Sequence, residues 1–507
     1  MASTAAARPP TLASPAPRPW AALAVLMLPV LLISVDNTVL SFAVPAISEA
    51  LRPGGTQLLW IVDAYPLVLA GLLVPMGSLG DRVGRRRLLL IGSSGFALVS
   101  ALAAFAPSAG LLIGARAALG FFGAMLMPAT LSLIRNIFVD PTKRRMAIAI
   151  WASGFSGGAA LGPVVGGLLL EHYWWGSVFL LAVPVLVPLL VLAPVLVPES
   201  RDPDPGPVDP LSIVLALGAM VPFVYGIKEL AEHGWASVGG PSIMLGVLVG
   251  AGFVLRQLRR RTPLLDVRLF TNPVFSGSVA ANLLSVVSLV GFIFFVSQHL
   301  QLVSGRTPMQ AGLFLVPGLV ATIIAGLAVV PVVRRIRPAS VVAGGLLLNA
   351  AGYGVVLASG VNGSDLGLLI AFVILGAGVG AAETISNDLI LASVPPAKAG
   401  AASAVSETAY ELGAVLGAAV LGSILTAVYR ANVVIPPSVA GDDARAAGET
   451  LGGATEVARG LPGDVGGALL NSAQQAFDSG VVIISAIGMG LMLIATIIVL
   501  RTLRTAK

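Results

Sequence analysis

The chain has 507 residues, 56% hydrophobic and 11% charged, with a mean hydropathy of +0.94; soluble domains carry roughly 25% charged residues, so a water-soluble globular fold is excluded. There is no cysteine, which excludes disulfides and thiolate metal centres, and His172, His233 and His299 fall in or near predicted loops with no two at ligand spacing, so neither metal nor cofactor is expected. The formal charge of +6 is no nucleic-acid signal, because the basic residues form short clusters between apolar stretches.

Residues 1–19, "MASTAAARPPTLASPAPRP", have no apolar core of their own and are expected to form a disordered tail rather than a cleaved signal. Fourteen apolar stretches then follow, each near the ~20 residues needed to cross ~30 Å of hydrocarbon. Their cores are 20–44, 58–79, 88–106, 110–134, 146–170 and 175–197, then 210–228 and 239–257, then 274–302, 310–333, 339–360, 366–392, 400–428 and 479–500. Nothing alternates in the ten-residue manner of barrel strands, so the expected fold is an all-α polytopic membrane protein. The proline-broken linker 198–210 divides a six-helix N-terminal bundle (20–197) from two helices with no acidic residue in their cores (198–258). A C-terminal six-helix bundle (259–507) follows, a six-plus-two-plus-six plan. Segment 430–477 is polar and Ala-rich, and is expected to be an extracellular helical hairpin. "DRVGRRR", "DPTKRR", "RQLRRR", "RRIR" and "RTLRTAK" all fall on one side if the N-terminus is cytoplasmic, which places both chain ends in the cytoplasm.

Several strings carry more than hydropathy. In helix one, "VDNTVLSFAVPAI" (35–47) buries Asp36. Between helices two and three, "PMGSLGDRVGRRR" (75–87) spaces Gly77, Asp81, Arg82, Gly84 and Arg85 for a tight basic turn in which Asp81 can cap a helix or pair with an arginine. Helix four holds Arg116 in "RAALGFFGAMLMPA". Helix five carries "SGGAALGPVVGGLL", where Gly158, Gly162, Pro163, Gly166 and Gly167 permit close helix approach and a bend. Helix thirteen contains "SETAYELGAVLG" (406–417), with Glu407 and Glu411 one turn apart.

These strings resemble the loop, helix-one, helix-four and helix-five signatures of the major facilitator superfamily. In particular they resemble its fourteen-helix drug/proton antiporters that export quaternary ammonium compounds and dyes; Ser41 stands where that family usually has Asn. The resemblance implies a major facilitator fold of fourteen helices in a bacterial inner membrane, monomeric and working by alternating access. It also implies export of small lipophilic cations, with a proton gradient rather than a cofactor as driving force.

An ionised carboxylate at helix centre costs about 2.5–3.5 kcal/mol on insertion scales, so buried acids require a reason. Asp36, Asp63, Glu383, Asp388, Glu407 and Glu411 face a single deep cation, Arg116. Helices one, two and four are neighbours in this superfamily, so Asp63 and Arg116 can form a buried Asp–Arg network, with Asp36 left as the better proton or cation site. Glu407 and Glu411 share a helix face about 6 Å apart along the axis. Two like charges this close in low dielectric cannot both ionise cheaply, so at least one is expected to keep its proton near neutral pH and to exchange it against a cation. Asp36, Glu407, Glu411, Asp63 and Arg116 are thus the candidate proton-coupling set, with Glu383 as a further acid. Cargo contacts are expected from Glu407, Glu411 and Asp36 and from the aromatics Trp60, Tyr65, Phe155, Phe295 and Tyr410 through cation–π stacking, with Phe121, Trp151 and Phe292 as lesser candidates. No nucleophile–base pair, metal cluster or phosphate loop points to an enzyme. An exporter of an endogenous lipid or antibiotic is the alternative on the same scaffold.

Overall fold

The computed structural model describes residues 18–504 apart from 202–208, 235–236, 261–262, 360–364 and 395–398, and apart from a few side chains in the fifth helix, at 231–232 and around 399–403. The expectations for the tail 1–17 and the linker centre 202–208 therefore lie outside the described residues. Seven helical pieces form the first group: α1 Pro19–Leu51, α2 Gly55–Val83, α3 Arg85–Ala103, α4 Ala109–Ile137, α5 Pro141–His172, and α6 Ser177–Leu180 with α7 Ala182–Leu196 as one crossing. The inserted pair is α8 Pro210–His233 and α9 Gly239–Arg259. The last group is α10 Pro273–Gln298, α11 Pro308–Val332, α12 Pro338–Ser359, α13 Asp365–Ala392, α14 Ala399–Leu416 and α15 Ser423–Asn432. There follow the short α16 Gly441–Glu449 and α17 Leu451–Arg459, and then α18 Gly463–Thr502. Among the described residues thirteen helices are long and apolar enough to cross a membrane. The expected fourteenth, α5, is 32 residues long and runs beside α1.

Local chemistry sets the helix starts. Proline leads α8, α10 and α11, where its missing N–H costs nothing. Asn272 and Thr307 accept from the backbone N–H groups of Val274 and Gln310, and Gln310 returns a bond to the Thr307 N–H. Among the described residues three helical stretches depart from α geometry: Val267–Thr271 is a 3-10 turn, and His299–Val303, after α10, and Gly417–Gly422, between α14 and α15, are π-helical. Such bulges often mark functional sites.

Core residues of α1 to α7 pack as one cluster, into which Ile213 and Leu217 of α8 also pack. A second cluster joins α10 to α13, α15, α16, α17 and α18, and it takes in Phe42, Val44, Leu58 and Leu59 from the first group. Those four lie at the end of the molecule away from the chain termini, so the two groups are sealed to each other at that distal face. The start of α1 and the end of α18 lie toward the opposite, terminal face, where α18 packs against the start of α10 through Thr502 and Gly277.

Candidate functional site

A cavity of about 300 Å³ lies between the two groups. Its walls come from α1 (Ser34, Asn37), α5 (Trp151), α10 (Asn282), α11 (Thr322), α13 (Glu383, Asn387) and α14 (Ser406, Glu407, Tyr410, Glu411). Three carboxyl groups thus share one small space, and no Lys, Arg or His is among the lining side chains. Glu383 Oε1 and Glu411 Oε2 are buried without a hydrogen-bond partner among the described residues, the state in which a polar oxygen calls for a proton, a water or a cation. Toward the terminal face the wall is a polar triad. Asn282 Nδ2 donates to Ser406 Oγ at 3.1 Å and to Asn387 Oδ1 at 3.4 Å, and Ser406 also bonds Asn387. Asn387 and its neighbour Asp388 are exposed there.

The cavity is shut toward the distal face. Ser297 Oγ donates to the Ser41 carbonyl at 2.8 Å and Gln301 Nε2 to the Phe42 carbonyl at 3.2 Å, tying α10 to α1. Outside these bonds, α16 and α17 cover the mouth. They are anchored by Tyr429, whose hydroxyl donates to the Ala447 carbonyl, and by the Arg430–Glu449 ion pair. They reach α1 and α2 through Arg52–Asp443, Arg459–Glu49 and the Gly55 N–H to Glu449. A larger cavity of about 670 Å³ lies on this rim, lined by residues such as Glu49, Arg306 and Arg459; its carboxylate is already paired with Arg459, so it lacks the free acids of the inner one.

The charge network differs from the expected pairing. Arg116 does not meet Asp63: its Nη1 donates to Asp36 Oδ2 at 2.7 Å and its Nε to the Ile61 carbonyl at 3.2 Å. Asp36 is therefore a counter-ion rather than the acid left over. Asp63 pairs instead with Lys228 of α8, Nζ to Oδ2 at 2.9 Å, with side-chain exposures of 1% and 0%. Arg116 is not the single deep cation: Lys228 is a second, placed there because α8 packs antiparallel along α2 and carries its first charged residue to the depth of Asp63. His299 is likewise no loop histidine. It is buried, with Nδ1 3.1 Å from Asp478 Oδ1 of α18, because helix α10 continues past it as a π turn.

Of the aromatics, Tyr410 and Trp151 line the cavity. Trp60 does not, since the Lys228 ammonium sits 3.9 Å from its ring centroid. Tyr65 is fully buried beneath the Arg116 guanidinium, 4.6 Å from its ring centroid, and within electrostatic range of both Asp36 and Glu411. Phe295 packs edge-on against Phe292 inside the C-terminal core, and the side chain of Phe155 lies outside the described residues.

The glycine motifs sit at close approaches. A Cβ on Gly158 would meet Ser34, one on Gly162 would collide with Thr38, and one on Gly167 would lie 2.6 Å from Met309 Cα, so α5 is pressed against α1 on one side and α11 on the other. Across that second seam the Pro163 carbonyl lies against Gly312. At the terminal face Gly77 packs on Pro128, and Gly84 adopts φ +117° with Glu199 occupying its Cβ space. Asp81 accepts from Arg85 Nε at 2.8 Å, Arg85 reaches Ser200, and the backbone N–H groups of Arg86 and Arg87 donate to the Glu199 carboxylate. The turn is thereby clamped to the end of α7.

A family model described as Major Facilitator Superfamily matches residues 26–418. The chain belongs to the major facilitator superfamily. It is a multi-pass membrane transporter, not an enzyme. This superfamily member is 58% identical to the multidrug efflux pump LfrA of Mycolicibacterium smegmatis, covering 95% of this chain and 96% of that one. It is 37% identical to the methyl viologen resistance protein SmvA of Salmonella typhimurium (94% and 97% covered) and 33% to the tetracenomycin C resistance and export protein of Streptomyces glaucescens (96% and 92%). Among solved structures, a bacterial homologue of the human lysosomal transporter Spinster shares the fold with a TM-score of 0.64 at 17% identity, covering 96% of this chain and 98% of that one.

Proposed function

We propose that this transporter is a proton-coupled multidrug efflux antiporter of the bacterial plasma membrane, exporting lipophilic cationic drugs, dyes and quaternary ammonium compounds. The observation that carries the reading is the inner cavity, with Glu383, Glu407 and Glu411 around a space that holds no basic side chain and presents Tyr410 and Trp151. Ionised together, three carboxylates repel; either protons or an organic cation relieves that repulsion, and the two compete for the same groups. Aromatic faces beside carboxylates suit a flat or alkylated cation. With both chain ends cytoplasmic, as the basic clusters indicate, the cavity faces inward, where cargo is collected. Rocking of one helix group against the other would present it outward. Asp36 and Arg116, the latter over the Tyr65 ring, are the pair through which the acids of α14 act on the N-terminal group. A proton moving down 100 mV supplies about 2.3 kcal/mol and each pH unit about 1.4; for one proton against one monovalent cation the electrical parts cancel, and each pH unit supports about a tenfold cargo gradient. The names LfrA and SmvA, attached to relatives that align over nearly the whole chain, agree with drug efflux. The tetracenomycin C exporter keeps one rival in view, a natural antibiotic as cargo.

The test is ethidium movement in proteoliposomes under a pH gradient directed against the dye. Wild type is expected to accumulate ethidium until a protonophore is added, Glu411→Gln to lower the coupled rate at least tenfold, and Glu407→Gln to lower it several-fold at low dye. Gradient-independent movement, or both variants matching wild type, would sink the assignment.

A further inference from the structure

The two inserted helices take no part in the cavity, yet the chain buries a lysine and an aspartate to fasten one of them. Along α8 the residues Leu217, Met220, Val224 and Lys228 form one stripe at helical spacing. Leu217 fills the space over Gly71 of α2, and Met220 and Val224 pack with Leu67. Lys228 then meets Asp63 at 2.9 Å and covers the Trp60 ring at 3.9 Å. Among the described residues no third group hydrogen-bonds either end of that pair. α8 also borders the opposite helix group at the π segment and α15, and the cluster of Val224 with Leu67 extends to Val415 and Ala419. The helix thus straddles the seam between the two groups: it shares apolar packing with both, and its buried ion pair goes to the N-terminal group alone.

We propose that Lys228 is a positioning residue whose ion pair with Asp63 locks α8, and α9 with it, to the N-terminal helix group, so that the inserted pair rides with that group and slides past α14–α15 during the transport cycle. The sliding part of the inference rests on the alternating-access reading above. Two opposite charges with no water between them do not separate cheaply in hydrocarbon, and removing one strands the other, whereas apolar helix surfaces can shift past each other without leaving a polar group unmet. Lys228 also occupies the carboxylate-and-indole site that a cationic cargo would otherwise use, so Asp63 acts as the lysine's counter-ion and not as an independent proton carrier.

The chain has no cysteine of its own, so cross-linking is clean. Cysteines at Gly71 and Leu217 bring Cβ atoms to disulfide range, since a Cβ on Gly71 would lie 3.1 Å from Leu217 Cγ. Cysteines at Val224 and Ala419, joined by a short thiol cross-linker, tie α8 to the other group. Oxidised Gly71→Cys/Leu217→Cys protein is expected to keep ethidium transport within twofold of its reduced form, and the cross-linked Val224→Cys/Ala419→Cys protein to lose it at least tenfold, with recovery on reduction. The opposite pattern, or equal behaviour of the two cross-links, overturns the lock. Lys228→Met alone is expected to lower transport at least tenfold, Lys228→Arg to retain it, and Asp63→Asn/Lys228→Met to recover to within threefold of wild type. A double variant as inactive as Lys228→Met would instead make Asp63 a proton carrier. Wild-type protein with no gradient-driven transport counts against the functional reading. Transport by wild type that is blocked by the α2–α8 disulfide counts against the lock alone.

Discussion

Arg116 is held by a fork: one nitrogen serves Asp36 on α1 and another serves the Ile61 carbonyl on α2, while its plane covers Tyr65. A lysine offers a single charged nitrogen and no plane, so it can keep the Asp36 contact only by giving up the other two. Arg116→Lys is therefore expected to lower gradient-driven ethidium transport at least tenfold while leaving the amount of folded protein in the membrane near wild type; equal transport by the lysine variant would show that only the charge matters. Within α14 the two acids differ in setting. Glu411 is nearly buried, with an unpartnered oxygen, and Glu407 is one turn nearer the polar triad. Glu411→Gln is expected to abolish proton-driven accumulation yet preserve dye-for-dye exchange, and Glu407→Gln to raise the apparent KM for ethidium several-fold; stopped-flow fluorescence with and without a pH gradient separates the two. The acids were legible in the sequence, because carboxylates inside apolar runs are costly wherever they fall. Their partners were not. Asp36 and Arg116 are 80 residues apart, Asp63 and Lys228 farther still, and His299 and Asp478 are separated by 179. No local pattern sets such pairings. A search for buried acids alone also passes over Lys228, although its place in the stripe after Leu217, Met220 and Val224 is a signal that the sequence does carry.

At the scale of elements, the glycine strings state where helices must touch but not which helices. Close approach of α5 was readable from small residues four apart; that one side of the motif faces α1 and Gly167 faces α11 follows only from the packed bundle. Thr38 makes this contact testable, because a methyl group on Gly162 would occupy its hydroxyl position. Gly162→Ala is expected to cut transport at least fivefold, and the added change Thr38→Gly, which removes both the hydroxyl and the Cβ that lies 2.9 Å away, to restore most of it; failure of the second change to rescue would place the defect elsewhere. Gly84 is a different case, since both its φ of +117° and the Glu199 carboxylate, 2.9 Å from any Cβ, oppose a side chain. Gly84→Ala is expected to destabilise the clamp at the end of α7 by about 1–3 kcal/mol and to lower the melting temperature in detergent. Glu199→Ala would restore only part of that loss, because the backbone strain remains.

For the whole molecule, the two helix groups are bonded to each other at the distal face, while on the terminal side the acid cavity is bounded by a polar triad that includes the exposed Asn387. The distal seal has an inner layer, α10 bonded to the carbonyls of Ser41 and Phe42, and an outer one, the α16–α17 cap with its ion pairs to Arg52 and Glu49. The rim pairs are largely exposed, and exposed pairs contribute about 0–1 kcal/mol each; they can hold a closed state that is close in energy to an open one without trapping it. That balance suits a transporter, whose two states must interconvert readily. A covalent bridge removes the balance. Cysteines at Glu49 and Arg459, whose side chains meet at 2.8 Å, joined by a cleavable bifunctional thiol reagent, are expected to stop transport completely while leaving ethidium binding from the terminal face within threefold of the unbridged protein. Reduction of the reagent should restore transport. Transport that continues with the bridge intact would mean that the cap stays in place on α1 throughout the cycle and that cargo leaves by another route.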